Sequence, residues 1–192
     1  RLPEANLGAA YLRDVRFRYS RNGGIDGDTS EGTGCTAKEW KAQAALYIGG
    51  PPGPGATGVV LTPPPSQNGV GFCGGGFKHA GGKLEFARAA RPQVFPGVFL
   101  DYIDLALQLD PTVLRGGGGL SVGDFAKVTG EMLAAFASPG QPYRLSPGDA
   151  GNELQQFSGK LLTSTTLAVG GTVSVDVPVF GKLALGNAAL MY

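Results

Sequence analysis

Residues 119–137 read GLSVGDFAKVTGEMLAAFA and carry the clearest secondary-structure pattern in the chain. Apolar side chains recur there at intervals of three and four residues, as they do on one face of an α-helix: Phe125, Val128, Met132 and Phe136. Ser121 precedes this stripe as an N-cap residue, and Asp124 places a negative charge in the first turn. The pattern predicts a helix from about residue 121 to 137, with Phe125 and Met132 buried.

Two further helices are predicted in the N-terminal quarter. Residues 4–19 carry an apolar or aromatic residue at every fourth position from Leu7 to Tyr19, although their last five residues also alternate as a strand does. Thr36 and Glu39 fit a capping box in front of an apolar stripe that starts at Trp40. This second helix ends before Gly49 and Gly50.

The middle and the C-terminal half give less uniform patterns. Residues 98–109 (VFLDYIDLALQL) fit either a helix or an alternating strand, and Ser146-Pro147 begins a helix candidate that continues to Leu162. Residues 51–82 are rich in Gly and Pro and contain one short strand-like run, Val59 to Leu61. After residue 163, valines alternate with small or polar residues, which predicts a β-hairpin or an extended arm.

These patterns predict a mainly α fold with long Gly/Pro-rich irregular loops and a β-like C-terminal arm, α+β overall. A single helical domain occupies residues 1–163 with a loop insert at 51–82, and residues 164–192 form the arm. The chain has 192 residues with 33 Gly and 14 Pro, and this length favours one domain. It begins at Arg1 without a charged-then-apolar leader, which is typical of a processed chain.

Charge and hydropathy exclude two classes of partner at this stage. Lys and Arg number 16 against 15 Asp and Glu, a net charge of +1, so no basic field is available to recruit nucleic acid. Uninterrupted apolar runs are shorter than the roughly 18 to 20 residues that a membrane-spanning helix needs. We therefore expect neither nucleic-acid binding nor membrane insertion.

Cys35 and Cys73 are the two cysteines of the chain, and both lie in Gly-rich segments. Clustered metal ligands are missing around them in the sequence, so a disulfide is the preferred interpretation over a metal site. Two free thiols in a reducing compartment are the alternative. The disulfide indicates an oxidising compartment, such as a thylakoid lumen or the secreted space.

Three other sequence features contain residue types that can bind a metal ion or take part in catalysis. Asp26 and Asp28 lie in a Gly-rich loop with further carboxylates and hydroxyls, so they are candidate calcium ligands, with a solvated turn as the alternative. Ser121 lies between two glycines as in a nucleophile elbow, but the only histidine, His79, precedes it rather than follows it. We expect Ser121 to be a cap and His79 to be a surface residue.

The order of three segments resembles the haem peroxidase superfamily of the plant, fungal and ascorbate type. Residues 119–130 are similar to a peroxidase helix, residues 23–28 (GGIDGD) to its calcium-binding loop, and residues 12–17 (LRDVRF) to its distal helix. This resemblance implies a helical fold. However, if Arg13 takes the place of the distal Arg, Phe17 stands where the distal His belongs, and in the other register the two positions are Asp14 and Arg18. No histidine follows Ser121 as a haem ligand.

The resemblance and the missing histidines together imply a peroxidase-like domain that is not an enzyme and holds no cofactor except, in one interpretation, calcium. Its expected function is that of a structural or accessory subunit that docks on the protein subunits of a larger complex, and the lumenal side of a photosystem is one such location. A self-assembling extracellular filament or capsid subunit is the first alternative. An unconventional haem peroxidase is the second.

Overall fold

The computed structural model describes residues 5–6, 10–25, 35–49, 58–62, 69–109, 112–137, 142–145, 153–177 and 181–192. In these residues the secondary structure consists of β-strands and two single-turn 3-10 helices, Arg88–Ala90 and Gln155–Phe157. The prediction of a mainly α fold is therefore wrong. None of the helical segments in this part of the chain is long and apolar enough to cross a bilayer.

The strands are numbered in chain order, and seven of them have ten or eleven residues while β13 has twelve. Their bounds are β1 Ala5–Asn6, β2 Ala10–Ser20, β3 Glu39–Ile48, β4 Val59–Thr62, β5 Gly69–Cys73, β6 Gly76–Phe86, β7 Gln93–Phe95, β8 Val98–Gln108, β9 Thr112–Val122, β10 Ala126–Phe136, β11 Tyr143–Arg144, β12 Leu161–Leu162, β13 Thr166–Val177 and β14 Gly181–Met191.

Almost every long strand pairs antiparallel with its neighbour along the chain. The sheet order is β1-β2-β3-β4-β6-β8-β9-β10-β13-β14. β5 continues the line of β4 between β3 and β6, and β7 pairs with β8. The short strands β11 and β12 form a separate ribbon in the connection from β10 to β13.

The predicted helix at residues 121–137 is instead the end of β9, a turn at Gly123, and β10. Residues four apart share a face in a strand as well as in a helix, so Val128, Met132 and Phe136 fit both structures. The expected burial is also wrong, because Phe125 is 58% exposed and Met132 is 56% exposed. Ser121 lies inside β9 and caps no helix.

Of the other predicted elements, the helices are wrong and one strand alternative is confirmed. The helices over residues 4–19 and 36–47 are wrong, since β2 and β3 occupy these positions, and the strand alternative at residues 98–109 is confirmed by β8. The described part of the last helix candidate, residues 153–162, contains only a 3-10 turn and β12.

Two strand predictions are confirmed. β4 contains the run from Val59 to Leu61, and β13 with β14 forms the C-terminal hairpin. The predicted loop insert 51–82 nevertheless holds β5 and the first half of β6 as well. The hairpin is continuous with the rest of the sheet, because β13 pairs with β10 along ten residues.

The sheet curls around a cavity of about 800 Å³. Its lining includes Val60 of β4 and Lys182 of β14, whose strands are six steps apart in the sheet order. In a flat sheet those strands would lie about 29 Å apart, at roughly 4.8 Å for each step. One cavity touches both, so the inner face of the sheet is concave.

The hydrophobic core lies at the opposite end of this concave face. It forms between the sheet and the described residues of the β10 to β13 connection, 142–145 and 153–162, which we call the inner segment. The sheet contributes Val113, Leu133, Ala135 and Ala168, and the inner segment contributes Tyr143, Leu145, Leu154 and Leu162. Leu145 and Leu154 are fully buried, so the inner segment closes this end of the concave face.

Candidate functional site: an apolar outer face and a polar inner cavity

The convex face of strands β8 to β14, called the outer face, carries apolar side chains and glycine along the strands. The registers place these residues on one face: Ile103, Leu105 and Leu107 of β8; Leu114, Gly116, Gly118, Leu120 and Val122 of β9; Val128, Gly130, Met132, Ala134 and Phe136 of β10; Leu167, Val169, Gly171, Val173 and Val175 of β13; Leu183, Ala188 and Leu190 of β14.

The outer face is exposed despite being apolar. Leu105 is 60% exposed, Val169 is 57% exposed and Leu190 is 75% exposed. Thr112, at the start of β9, is the polar side chain that shares this face through its pairing with Phe136. Five strands spaced by roughly 4.8 Å and about 30 Å long give this face an area of about 700 Å². Monomeric proteins usually expose smaller contiguous apolar patches, so the outer face is a candidate interaction surface.

The concave inner face is polar along the same strands. The alternate residues of β8, β9, β10, β13 and β14 point there, and the polar ones are Tyr102, Asp104, Gln108, Arg115, Ser121, Lys127, Thr129, Glu131, Thr166, Thr172, Ser174, Asp176, Lys182 and Asn187. Asp104, Arg115 and Ser121 are all buried. The usual distribution of a water-soluble protein, with apolar side chains inside and charged ones outside, is therefore inverted.

Strands β2 to β6 follow the same division. Trp40, Ala42 and Leu46 of β3 lie on the outer side, while Glu39 and Lys41 lie on the inner side. The carboxylate of the buried Glu39 accepts a hydrogen bond from the Ile25 N–H at 3.0 Å and lies 3.9 Å from Lys41 Nζ and 3.7 Å from Lys78 Nζ. Glu39 thus neutralises inner-face lysines instead of completing a helix capping box.

A hydrogen-bonded group at the cavity joins β8, β9 and the loop before β7. Arg91 Nη1 donates to Ser121 Oγ at 2.6 Å and to Asp101 Oδ1 at 3.0 Å, and Ser121 Oγ donates to the same Asp101 oxygen at 2.9 Å. Lys127 Nζ lies 3.9 Å from the other Asp101 oxygen. The Ser121 hydroxyl is therefore held by an ion pair at the cavity wall.

His79 does not assist Ser121. It lies opposite Gln108 near one end of β8, whereas Ser121 lies opposite Phe99 near the other end. Nine residues separate these positions along β8, which is about 30 Å at roughly 3.3 Å per residue. His79 is buried, contrary to the sequence expectation, and its ring lies over Gly71, where an added Cβ would come within 2.3 Å of it.

Tyr102 fills the space above another glycine of the inner face. A Cβ at Gly119 would lie 2.3 Å from the Tyr102 ring, and Lys83 Nζ lies 4.3 Å from the ring centroid. Burial, together with the negative charges of Asp104, Glu131, Glu153 and Asp101, raises the pKa of Tyr102 to about 12. The phenol therefore stays neutral at physiological pH.

The inner segment is attached to the polar face through Glu153. Its carboxylate accepts hydrogen bonds from the hydroxyls of Thr129 and Thr172, and its N–H donates to Glu131 Oε2 at 2.9 Å. Gly170 makes room for this contact, since a Cβ there would lie 2.7 Å from the Glu153 carbonyl oxygen. The inner segment is thus fixed both by its apolar core and by these hydrogen bonds.

The cavity between these groups contains charges of both signs. Arg88 pairs with Asp124, and Lys83 pairs with Glu85 at 2.5 Å. Asp176 and Lys182, directly opposite each other on β13 and β14, also line it. Such a lining holds water and small polar solutes, whereas it offers little to an apolar ligand.

The residues predicted as sites from the sequence have different outcomes. The Cys35–Cys73 disulfide is confirmed and is compatible with an oxidising compartment. Asp26 and Asp28 lie outside the described residues. Within the described ranges, no three His, Cys, Asp or Glu side chains are grouped so that they could hold a metal ion. The outer face and the cavity were not predicted, although the alternation that reveals them is present in the sequence of β13.

Comparisons with known proteins add no relative. No protein-family model matches the chain. No curated protein and no solved structure matches it either. The stretch that resembles a peroxidase helix, residues 119–130, belongs to the β9–β10 hairpin, so we base no further argument on that resemblance.

Proposed function

We propose that this protein is embedded in a lipid bilayer through the outer face of its sheet and encloses a polar, water-accessible cavity on the inner face. The observation that carries the proposal is the distribution of charge: every charged side chain of strands β8, β9, β10, β13 and β14 lies on the inner face, while the outer face is apolar apart from Thr112. Hydrocarbon is the surrounding in which exposed Leu, Val and Ile are stabilised while charged side chains turn inward.

The strand lengths support the same conclusion. An eleven-residue strand such as β9 is about 37 Å long at roughly 3.4 Å per residue. Tilted by about 45°, it spans close to 26 Å, which is near the thickness of the hydrocarbon layer. Strands in soluble proteins are usually about half as long.

A protein partner is the other candidate for covering the outer face, as in the accessory-subunit interpretation of the sequence. Protein interfaces typically have an apolar centre surrounded by a polar rim. Here apolar residues follow the convex side from β3 to β14, so a protein partner would have to enclose the sheet. Lipid covers such a surface without a special shape, and it is therefore the favoured surrounding.

The expectation of no membrane insertion was derived from the length of apolar run that a helix needs. A membrane strand requires an apolar residue only at every second position, so that criterion does not apply to it. The Cys35–Cys73 disulfide is compatible with an oxidising compartment on its side of the bilayer. A thylakoid lumen is one proposed compartment of this kind.

Flotation with phospholipid vesicles tests the proposal. The purified chain, refolded in the presence of vesicles, is expected to float with them in a density gradient and to resist extraction at alkaline pH. Val169→Lys adds a charge to the outer face and should reduce the bound fraction. Gln155→Lys adds the same charge to an exposed turn of the inner segment and should float like the wild type.

Three results would contradict the proposal. One is a wild-type chain that stays folded, monomeric and free of lipid. Another is assembly into large particles without lipid, which would favour the filament or capsid alternative. Equal flotation of the Val169→Lys and Gln155→Lys variants would show that the outer face does not contact the bilayer.

A further inference from the structure

Four aromatic side chains form a row across one end of the sheet on its outer side. Tyr19 of β2 pairs with Trp40 of β3, Trp40 pairs with Phe72 of β5, and Phe72 pairs with Phe77 of β6. Each lies one residue from the end of its strand. We call these four residues the aromatic row.

Three rings of the row, those of Trp40, Phe72 and Phe77, contact one another in sequence. Trp40 and Phe72 are stacked, with centroids 4.1 Å apart and planes 11° apart, and Phe72 meets Phe77 edge to face at 5.8 Å. Phe17 lies two residues before Tyr19 on β2, and its ring centroid is 5.8 Å from that of Trp40. Tyr19 is 59% exposed, so part of this cluster faces the surroundings of the protein.

A second group of aromatic residues lies at the opposite strand ends. Phe86 ends β6, Phe95 ends β7, and Phe125 lies in the β9–β10 turn. Nine residues separate Phe77 from Phe86 along β6, which is about 30 Å at roughly 3.3 Å per residue. At a tilt of about 45° this corresponds to roughly 21 Å across the sheet, close to the height of the apolar band of membrane strands.

Between the two groups the outer face is aliphatic. Leu105 of β8 and Val169 of β13 are typical of this band, and glycines at 118, 130 and 171 complete it. Aromatic rings with a polar atom favour the boundary between hydrocarbon and lipid headgroups, whereas aliphatic side chains favour the hydrocarbon itself. Tyr19 and Trp40 of the aromatic row carry such a polar atom, so this end of the sheet fits the headgroup boundary. Phe86, Phe95 and Phe125 carry none and mark only the other limit of the aliphatic band.

We infer that the aromatic row lies at the level of the lipid headgroups and fixes the depth of the sheet in the bilayer. This inference rests on the proposed function and adds the position of the protein along the membrane normal. The end that carries the row also carries the disulfide and the inner segment, since β5 ends at Cys73 and β10 leads into that segment. That closed end therefore lies at one bilayer surface, and the cavity opens towards the other.

The single tryptophan of the chain makes the depth measurable. Trp40 emission is recorded in vesicles whose phospholipids carry bromine either near the headgroup or near the methyl end of the acyl chain. We expect the shallow label to reduce Trp40 emission more strongly than the deep label does. The control is the double variant Trp40→Phe, Leu105→Trp, in which the deep label should be the stronger quencher.

Each other result overturns the inference. Stronger quenching of Trp40 by the deep label would place the row inside the hydrocarbon. No quenching of Trp40, with quenching of the control variant, would mean that something other than lipid covers the row, while the proposed function would stand. No quenching of either tryptophan, together with failure to float, would refute the proposed function itself. If the control variant fails to fold, Val169→Trp in the Trp40→Phe background takes its place.

Discussion

Leu105 lies in the middle of the outer face. Replacing it with arginine tests whether lipid or water surrounds this face of the sheet. Its cross-strand neighbours are Gly82 on β6 and Gly116 on β9, which have no side chains to cover it, so Leu105 is 60% exposed. Gly82 is about midway along β6 between Phe77 and Phe86, the two aromatic residues that mark the ends of the apolar band.

The expected magnitude follows from this position. In the middle of a bilayer, an arginine on a lipid-facing strand position costs about 2 to 4 kcal/mol. This lowers the folding equilibrium constant about 30- to 700-fold. In water, a change at such an exposed site usually stays within about 0.5 kcal/mol.

Leu109→Arg is the matched control. Leu109 is 38% exposed and directly follows β8, four residues from Leu105, and its N–H donates to the carbonyl of Lys78 beside Phe77 of the aromatic row. Near the interface the same substitution costs only about 0 to 1 kcal/mol, because arginine reaches the headgroups there. The effect should therefore depend on depth and not merely on the loss of a leucine.

The assay is reversible urea unfolding of the protein in phospholipid vesicles, followed by tryptophan emission. The Leu105→Arg variant should lose at least about 2 kcal/mol relative to wild type, and Leu109→Arg clearly less. Equal losses below about 0.5 kcal/mol for both variants would refute the assignment of this face to lipid.

Three further predictions concern the inner face and the disulfide. Gly119→Ala should destabilise the protein by about 1 to 3 kcal/mol in urea unfolding because its Cβ collides with the Tyr102 ring, whereas Gly118→Ala, on the outer face, should be close to neutral; the reverse order would contradict the assigned faces. In an ultraviolet pH titration Tyr102 should ionise only near pH 12, and stability should fall as pH rises from about 10 to about 12, because the folded protein keeps a proton that the unfolded chain loses; a Tyr102→Phe variant that still shows the late transition would be inconsistent with this. Replacing both Cys35 and Cys73 with serine should cost about 3 to 4 kcal/mol because the bond closes a loop of 38 residues, and an unchanged urea midpoint would argue against this contribution.

The sequence predicted the parts of the fold that depend on short-range signals. The disulfide followed from two cysteines without metal-binding neighbours, and the β13–β14 hairpin followed from strict alternation of valine with small residues. The strand at Val59 to Leu61 was also recognised. Predicting these features does not require knowing which face of the sheet is exposed to water.

The long strands were misread for a physical reason. In β10, Gly130 and Ala134 occupy the outer-face positions between Val128, Met132 and Phe136. The two-residue period of the strand was therefore hidden, and only large apolar residues four apart were visible. In β2, the alternation is broken at Asp14, which has a positive φ of 54° in an irregular register. A helix and an interrupted strand give the same sparse pattern in such segments.

The candidate site depends on pairing between distant segments. Asp101 and Ser121 meet because β8 and β9 are adjacent, and Arg91 reaches both from the loop before β7. Their spacing in the chain matches no motif. The outer face was missed because apolar residues were assumed to point inward, which holds only when water is the surrounding solvent.

The consecutive order of the strands has a consequence for how such a sheet can change over time. Neighbouring strands of the sheet follow one another in the chain, except that β4 and β5 share one position between β3 and β6, β7 pairs only with β8, and the inner segment lies between β10 and β13. Gain or loss of a complete hairpin would therefore widen or narrow the curl while every remaining side chain keeps its side. A single-residue deletion inside β9 would instead exchange the two sides over the rest of that strand, turning Ser121 outward and Leu120 inward. Related sequences should therefore differ by whole hairpins and by turn lengths, and seldom by one residue within a strand.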